Sequence, residues 1–330
     1  MRVLITGITG FVASHVFDIL RNDESIEIIG MARNKEKAKK FEQQGVEIRY
    51  ADLNKPETLK NITQDIDVVI HLAAKMKFHT HLKELYTPNV KATQILAEDA
   101  ERNGVKHFIA TSSTEAIGPV ENPPADETYP CNPVFDYGKT KLMLEQALKR
   151  MYEETGFPMT IIRPTGIYGP RDQYISISII DTILKGRLTR LPGKGDKYIH
   201  FTFVKDIAHG FVKALRNPRK AIGETFIISS DDYYTYREAF TIIANLLNAP
   251  APTKSAPMFL AKMYIGYLEW RNNRKGIDNF VIHKKVVEEM RNHRAYSNAK
   301  AKKYLNYQPK YTLPEGMKET IAWYRENKII

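Results

Sequence analysis

Tyr137-Gly138-Lys139-Thr140-Lys141 sets a phenol and an ammonium four positions apart. On a helix that spacing is one turn along a single face. A free phenol has a pKa of about 10 and is a poor base near neutrality. A nearby ammonium favours the phenolate, so the pair is expected to pass a proton to or from a carbonyl oxygen. A lone pair of this kind is more often a surface contact. Upstream, however, the strand-like run 107–111 ends in Ser112-Ser113-Thr114. A hydroxyl at that strand end is expected to hydrogen-bond a substrate oxygen and steady the charge that develops on it.

A second motif supplies a reason for such chemistry. The apolar run 2–6 leads into Gly7-Ile8-Thr9-Gly10-Phe11-Val12-Ala13, and a helical pattern follows. Gly7 and Gly10 allow a tight turn and a close approach of backbone to a pyrophosphate, whose charge suits the free N–H groups at a helix start. Ala13 stands where a third glycine often packs helix on strand. This placement between strand and helix marks a dinucleotide site, and Lys141 is then expected to grip the nicotinamide ribose. Sites for NAD commonly carry an acid at the end of the second strand. Here that strand ends Ala32-Arg33-Asn34-Lys35. Arg33, with Lys35 or Lys37, is expected to hold a 2′-phosphate, so NADP(H) is preferred and NAD(H) possible. Asp52 is expected either to accept from the adenine amino group or to cap the next helix.

These groups must be gathered by a scaffold. Strand patterns fall at 2–6, 26–32, 46–50, 67–72, 107–111 and 159–163, and helical patterns between them at 11–22, 35–44, 56–63, 90–103 and 139–155. The alternation predicts an α/β fold, a Rossmann-type doubly wound parallel sheet that binds ligands at one edge. Beyond 163 the rhythm changes, with helices predicted at 176–185, 206–216, 236–247, 258–270 and 313–327 and one strand at 224–228. The reading is a dinucleotide-binding domain over 1–170, with a return through about 200–228, interleaved with a smaller mixed α/β C-terminal substrate domain over 171–330.

Composition narrows the class. The chain has 330 residues, 43% of them apolar, enough for roughly two structural units and against disorder. Cys131 is the one cysteine, so no intramolecular disulfide and no cysteine metal cage can form, and no metal is expected. The N-terminal apolar run is too short for a signal peptide, and no run of about 18 uncharged apolar residues exists to span a membrane. A cytoplasmic protein is the expectation. The net charge is +11, and residues 271–303 hold ten basic and three acidic side chains. No zinc-finger or RNP pattern accompanies them, so no nucleic-acid partner is expected.

The sequence resembles the extended short-chain dehydrogenases/reductases, also called the NAD-dependent epimerase/dehydratase family, nearly end to end. Thr6-Gly7-Ile8-Thr9-Gly10-Phe11-Val12 is similar to the family's cofactor turn. Ala51-Asp52-Leu53, His71-Leu72-Ala73-Ala74 and Asn89-Val90-Lys91-Ala92-Thr93 are similar to its next landmarks. Arg163-Pro164-Thr165-Gly166-Ile167-Tyr168-Gly169-Pro170 resembles the segment beside the nicotinamide, and Trp323-Tyr324-Arg325-Glu326-Asn327 the last helix. Ala13 and Ala92 replace usual glycines. The resemblance implies catalysis by Ser113, Tyr137 and Lys141, with Ser112 as the fallback hydroxyl. It implies cofactor contacts from Gly7, Thr9, Gly10, Phe11, Val12, Arg33, Asp52, Leu53, Leu72, Ala73, Ala74, Thr111, Tyr137, Lys141, Pro164 and Ile167. It also implies a homodimer through 90–103 and 139–155, with Ile95, Leu96, Leu142 and Leu148 as apolar surface.

The branch is read from two places. Ile199 stands where sugar-nucleotide members carry an arginine for the diphosphate, and the stretch 197–206 looks more like the 3β-hydroxysteroid dehydrogenase and dihydroflavonol reductase branch. Dehydratases place an Asp-Glu pair after their catalytic threonine; here the residues are Thr114-Glu115. Glu115 is expected in solvent or in a helix cap, with an acid-base role as the alternative. Met76, Phe78, Ser113, Thr165, Gly166 and His200 are the expected substrate contacts. Ile175, Ile177, Ile179, Phe259, Met263 and Tyr264 are expected to add apolar surface at the entrance. The implied reaction interconverts a carbonyl and a secondary alcohol on a lipophilic steroid-, isoprenoid- or flavonoid-like molecule. The alternatives are a nucleotide-sugar epimerase or dehydratase, or a non-catalytic NADP sensor. Residues 258–270 are expected as a lid helix, with contact to a membrane surface as the less favoured reading.

Overall fold

The structure is a computed structural model that describes residues 1–77, 80–275 and 281–330. The first half runs β1 (Arg2–Thr6), α1 (Phe11–Leu20), β2 (Glu27–Ala32), α2 (Lys35–Glu42), β3 (Glu47–Tyr50), β4 (Val68–His71), α3 (Leu82–Tyr86), α4 (Ala92–Arg102), β5 (His107–Thr111), α5 (Asp136–Thr155) and β6 (Met159–Pro164). The second half runs β7 (Gly166–Tyr168), α6 (Ile175–Leu184), β8 (Arg190–Pro192), β9 (Tyr198–Ile199), β10 (Phe201–Phe203), α7 (Val204–Arg216), α8 (Pro218–Ala221), β11 (Thr225–Ile228), β12 (Tyr234–Thr235) and α9 (Tyr236–Leu246). It closes with β13 (Lys254–Ala256), α10 (Met258–Arg274), α11 (Lys284–Glu289), α12 (Ala299–Leu305) and α13 (Leu313–Glu326).

Seven strands form one parallel sheet in the order β11-β6-β5-β4-β1-β2-β3. The order reverses beside β1, which places a crevice at the carboxyl ends of β1 and β4, where this sheet type binds ligands. Val3, Leu4 and Ile5 are wholly buried because both faces are covered, which is why the central strands read as unbroken apolar runs rather than alternating ones. One face packs under α1, α7 and α12, the other under α4 and α5. A third core joins α6, α9 and α13 around β7 and β10.

Four expectations change. The helical pattern 56–63 forms only a 3-10 turn, Pro56–Leu59, because Asn61 and Asp65 take left-handed backbone at φ 59° and 58° and cannot continue a helix. The pattern 90–103 opens with a π-helical segment, Thr87–Lys91, before α4. Helix α5 starts at Asp136 rather than 139, which takes Tyr137 into its first turn. Among the described residues the second half holds six short strands besides the expected one; two or three residues are too few to show alternation in a sequence.

Candidate active site

The turn after β1 fits a diphosphate. Gly7 lies at φ +65°, where a Cβ would come within 3.0 Å of the Ala73 backbone. At Gly10 a Cβ would meet the Gly7 carbonyl at 2.9 Å. Helix α1 begins at Gly10 with no side-chain cap and no acid in its first turn, so its first N–H groups stay open to an anion. Ala13 is buried beneath. Thr6 holds the neighbouring strand end in register: its hydroxyl accepts from the N–H groups of Leu72 and Ala73, both at 3.1 Å. That hydroxyl also contacts His71 Nδ1 at 2.8 Å, and His71 Nε2 reaches Thr93 Oγ1 at 2.9 Å. Burial pulls the His71 pKa down to about 3, so this ring is a neutral strut. Within the π-helical segment Asn89 is buried, accepts from Lys75 N at 2.8 Å and donates to Lys75 O at 3.0 Å.

The catalytic candidates converge next to this turn. Tyr137 is 7% and Lys141 2% exposed. Lys141 Nζ donates to Thr111 O at 2.7 Å and lies 5.6 Å from the Tyr137 ring centre. Ser112 is taken: its hydroxyl donates to Glu145 at 2.5 Å, and Arg163 grips the same carboxylate at 2.6 and 2.8 Å. Ser113 accepts from Glu115 N at 3.1 Å and lines the cavity. Thr111 Oγ1 is buried with no hydrogen-bond partner among the described residues, and a cofactor hydroxyl would satisfy it.

The expected phenolate is corrected. Burial, with Glu115 next, pushes the Tyr137 phenol well above its ordinary value. The lysine is itself buried, and desolvation pulls its pKa down to about 8 against the opposing pull of Glu145. Desolvation is the largest cause of both shifts, so Tyr137 is an acid in this state.

A cavity of about 780 Å³ extends from the glycine turn to α10. Of the expected contacts, Gly7, Gly10, Phe11, Val12, Leu72, Ala74, Thr111, Pro164 and Ile167 line it, with Met76, Thr165 and Gly166. Thr9, Leu53 and Ala73 do not. Arg33 and Asp52 lie apart from the cavity, 3.9 Å from each other, with Arg33 68% exposed. Asp52 caps no helix; it accepts from Asn54 N and Nδ2 at 3.0 and 2.9 Å. Phe78 lies outside the described residues. Ile175, Ile179 and Tyr264 line the cavity, whereas Ile177, Phe259 and Met263 do not.

One further expectation fails and two are narrowed. His200 lines the wall, but Tyr296 N donates to its Nδ1 at 3.2 Å and its Nε2 meets Ser230 O at 3.1 Å. Both ring nitrogens are taken, and burial lowers the pKa to about 4, so it offers substrate neither charge nor a free donor. Glu115 is neither solvated nor a cap. It lines the cavity and pairs at 2.7 Å with Arg294, which pairs at the same distance with Glu289. Glu115 Oε2 is buried with no partner among the described residues, and burial raises the carboxyl pKa. The apolar dimer surface also shrinks, because Leu96 and Leu148 are buried in the core under the sheet. Arg294, Glu289, Tyr236 and Tyr296 complete the wall and had no local signature.

Comparisons with known proteins agree with this geometry. The profile of the NAD dependent epimerase/dehydratase family matches residues 3–229. The chain is 26% identical to the bovine (Bos taurus) "Sterol-4-alpha-carboxylate 3-dehydrogenase, decarboxylating", over 97% of this chain and 91% of that protein. It is also 26% identical to the human (Homo sapiens) dTDP-D-glucose 4,6-dehydratase, over 99% and 90%. The UDP-glucuronic acid 4-epimerase of Bacillus cereus, solved with NAD, superposes with a TM-score of 0.78 over 99% of both chains at 21% identity.

Proposed function

The chain belongs to the NAD-dependent epimerase/dehydratase family, and from that premise we propose that it interconverts a carbonyl and a secondary alcohol on a lipophilic substrate, with NADP(H) preferred. When bound, the nicotinamide supplies or accepts the hydride. The protein's own share is proton handling and orientation. Tyr137, kept protonated by its surroundings, donates to the carbonyl oxygen in the reducing direction. Ser113 Oγ orients that oxygen. Lys141, fixed by Thr111 O, holds the cofactor sugar and favours the return of the proton. Exposed Arg33 at the end of β2 supplies the fork for a 2′-phosphate.

One observation carries the substrate reading. Arg294, a cation set into the cavity, is already shared by Glu115 and Glu289. A diphosphate buried beside Arg294 would face two carboxylates and one occupied guanidinium, since Arg187 and Arg190 lie out at the exposed rim, and a buried charge without a free partner is costly. Ile199 lines the same wall and offers no charge. The other walls are largely apolar, with Met76, Ile175, Ile179, Leu260 and Tyr264, which suits a neutral ligand.

The second reading, a nucleotide-sugar dehydratase or epimerase, is favoured by Glu115 itself. It is a buried carboxylate beside Tyr137, at the position where resembling dehydratases carry half of their acid-base pair. The deciding assay offers sterol-like, flavonoid-like and long-chain ketones with NADPH, and UDP- and dTDP-sugars with NADP⁺ and NAD⁺. Turnover of a lipophilic ketone is the expected result. Turnover of sugar nucleotides alone would replace this reading with the second.

A further inference from the structure

Helix α10 shows two apolar sides with different fates. Leu260, Ala261, Tyr264 and Ile265 line the cavity. Phe259, Met263, Tyr267 and Trp270 do not, and they are 63, 69, 55 and 51% exposed. Their spacing of four, four and three residues makes one stripe along the helix. The 17 residues of α10 span about 25 Å at 1.5 Å each. From Phe259 to Trp270 the stripe rises about 17 Å, and a contiguous apolar stripe on an exposed surface marks an interaction face.

Cations outnumber acids around the stripe. The Arg274 guanidinium stacks over Trp270 at 4.1 Å, and exposed Lys275 follows it. Helix α11 packs against α10 and presents exposed Lys284 and Lys285. The Lys284 side chain lies across Gly266 of α10. Arg187 and Arg190, exposed on the β8 side, belong to the cavity rim. The nearby acids are engaged, Glu269 with His283 at 2.9 Å and Glu288 with Lys262 at 2.7 Å.

We propose that this face docks on an anionic lipid bilayer, with α10 lying in the headgroup plane, so that the cavity opens toward the bilayer. Among the described residues no helix is long and apolar enough to cross a membrane, so the contact is interfacial. The sign of the charges selects the occupant. A second copy meeting this face about a two-fold axis would bring the same cations against themselves, whereas acidic headgroups complement them and the stripe enters the acyl boundary. Delivery of substrate from the bilayer rests on the lipophilic reading above; the docking does not.

The test is co-sedimentation of the full chain with vesicles of phosphatidylcholine alone, or with about one third phosphatidylglycerol. Binding to the anionic vesicles that weakens as salt rises is the expected result. Met263→Ser/Tyr267→Ser/Trp270→Ser should lower that affinity about tenfold or more. Arg274→Glu/Lys275→Glu should remove the preference for anionic lipid while leaving the thermal midpoint of the fold unchanged. Absence of binding to both vesicles would overturn the proposal, as would wild-type binding by a folded triple variant. Loss in the triple variant of a dimer seen by light scattering would reassign the face to a contact between copies. Vesicle binding with turnover only of sugar nucleotides would keep the docking and sink the lipophilic substrate.

Discussion

At the residue scale the site is governed by what burial does to charge. Tyr137 is raised and Lys141 lowered by the same desolvation, so the pair begins as a protonated donor beside an ammonium that titrates near pH 8. Tyr137→Phe keeps the ring and removes the proton; turnover should fall by about 10² or more with cofactor affinity little changed. Near-normal turnover by that variant in a stopped assay would refute the assignment. Arg33 works in a different regime, exposed and loosely paired with Asp52. Its contact with a 2′-phosphate is worth about 1.5 kcal/mol, the low end for a charge-assisted bond, or roughly tenfold in Kd. Arg33→Ala should therefore weaken NADPH about tenfold and leave NADH nearly untouched. Fluorescence titration showing equal wild-type affinity for both cofactors would remove the 2′-phosphate role.

At the element scale, α5 does two jobs. Its first turn carries Tyr137 and its next Lys141, and one turn later Glu145 fastens the helix to β6 and to the end of β5. Glu145 and Arg163 are 1% and 2% exposed and make a two-point contact, with Ser112 as third member. Removing one partner strands the other charge in the core, so Glu145→Ala should cost about 3–5 kcal/mol in urea unfolding. A loss below about 1 kcal/mol would mean that water reaches Arg163. Helices α4 and α5 are also the proposed homodimer contact. Leu96 and Leu148 point into the core, so the face left to it holds half-buried Ile95 and Leu142 and exposed Met143. A dimer at about micromolar concentration is expected by light scattering, with Met143→Glu shifting it toward monomer, since a charge at an apolar contact is costly. A purely monomeric wild type would end that proposal.

At the scale of the whole molecule, the fold commits three histidines to neutrality. Burial lowers His71 to about 3 and His107 and His200 to about 4 from 6.5. Below pH 6.5 the unfolded chain takes up protons that the folded chain refuses. Their stability contribution is thus intact above pH 6.5 and lost as pH falls toward 4. Each histidine costs about 2 kcal/mol between pH 6.5 and 5. The raised carboxyl of Asp206 runs the other way, so a variant isolates the effect. His107 reaches Thr160 Oγ1 at 2.8 Å through Nε2, a bond that His107→Gln is able to keep. Its loss of urea stability from pH 7 to pH 5 should be smaller than the wild type's by about 2 kcal/mol. Equal losses would show that His107 does not set the acid limit.

The order of residues alone determined whatever short-range geometry controls. Tyr137 and Lys141 share a face because four residues make one helical turn, and Gly7 and Gly10 make a turn because no side chain blocks it. Six of the seven strands of the sheet were legible to within a residue or two because each carries a buried apolar run, while β3, Glu-Ile-Arg-Tyr at the sheet edge, is half exposed and was legible only from its place in the alternation. Tertiary structure decided the remainder. Glu115 and Arg294 meet across 179 positions, and no local pattern in either segment announces the other. Whether Leu96 faces a partner or the core depends on which side of α4 the sheet covers. The protonation of Tyr137 and the neutrality of His200 come from desolvation. That quantity belongs to the closed cavity and to no segment of the chain, so it appears only when distant elements have packed.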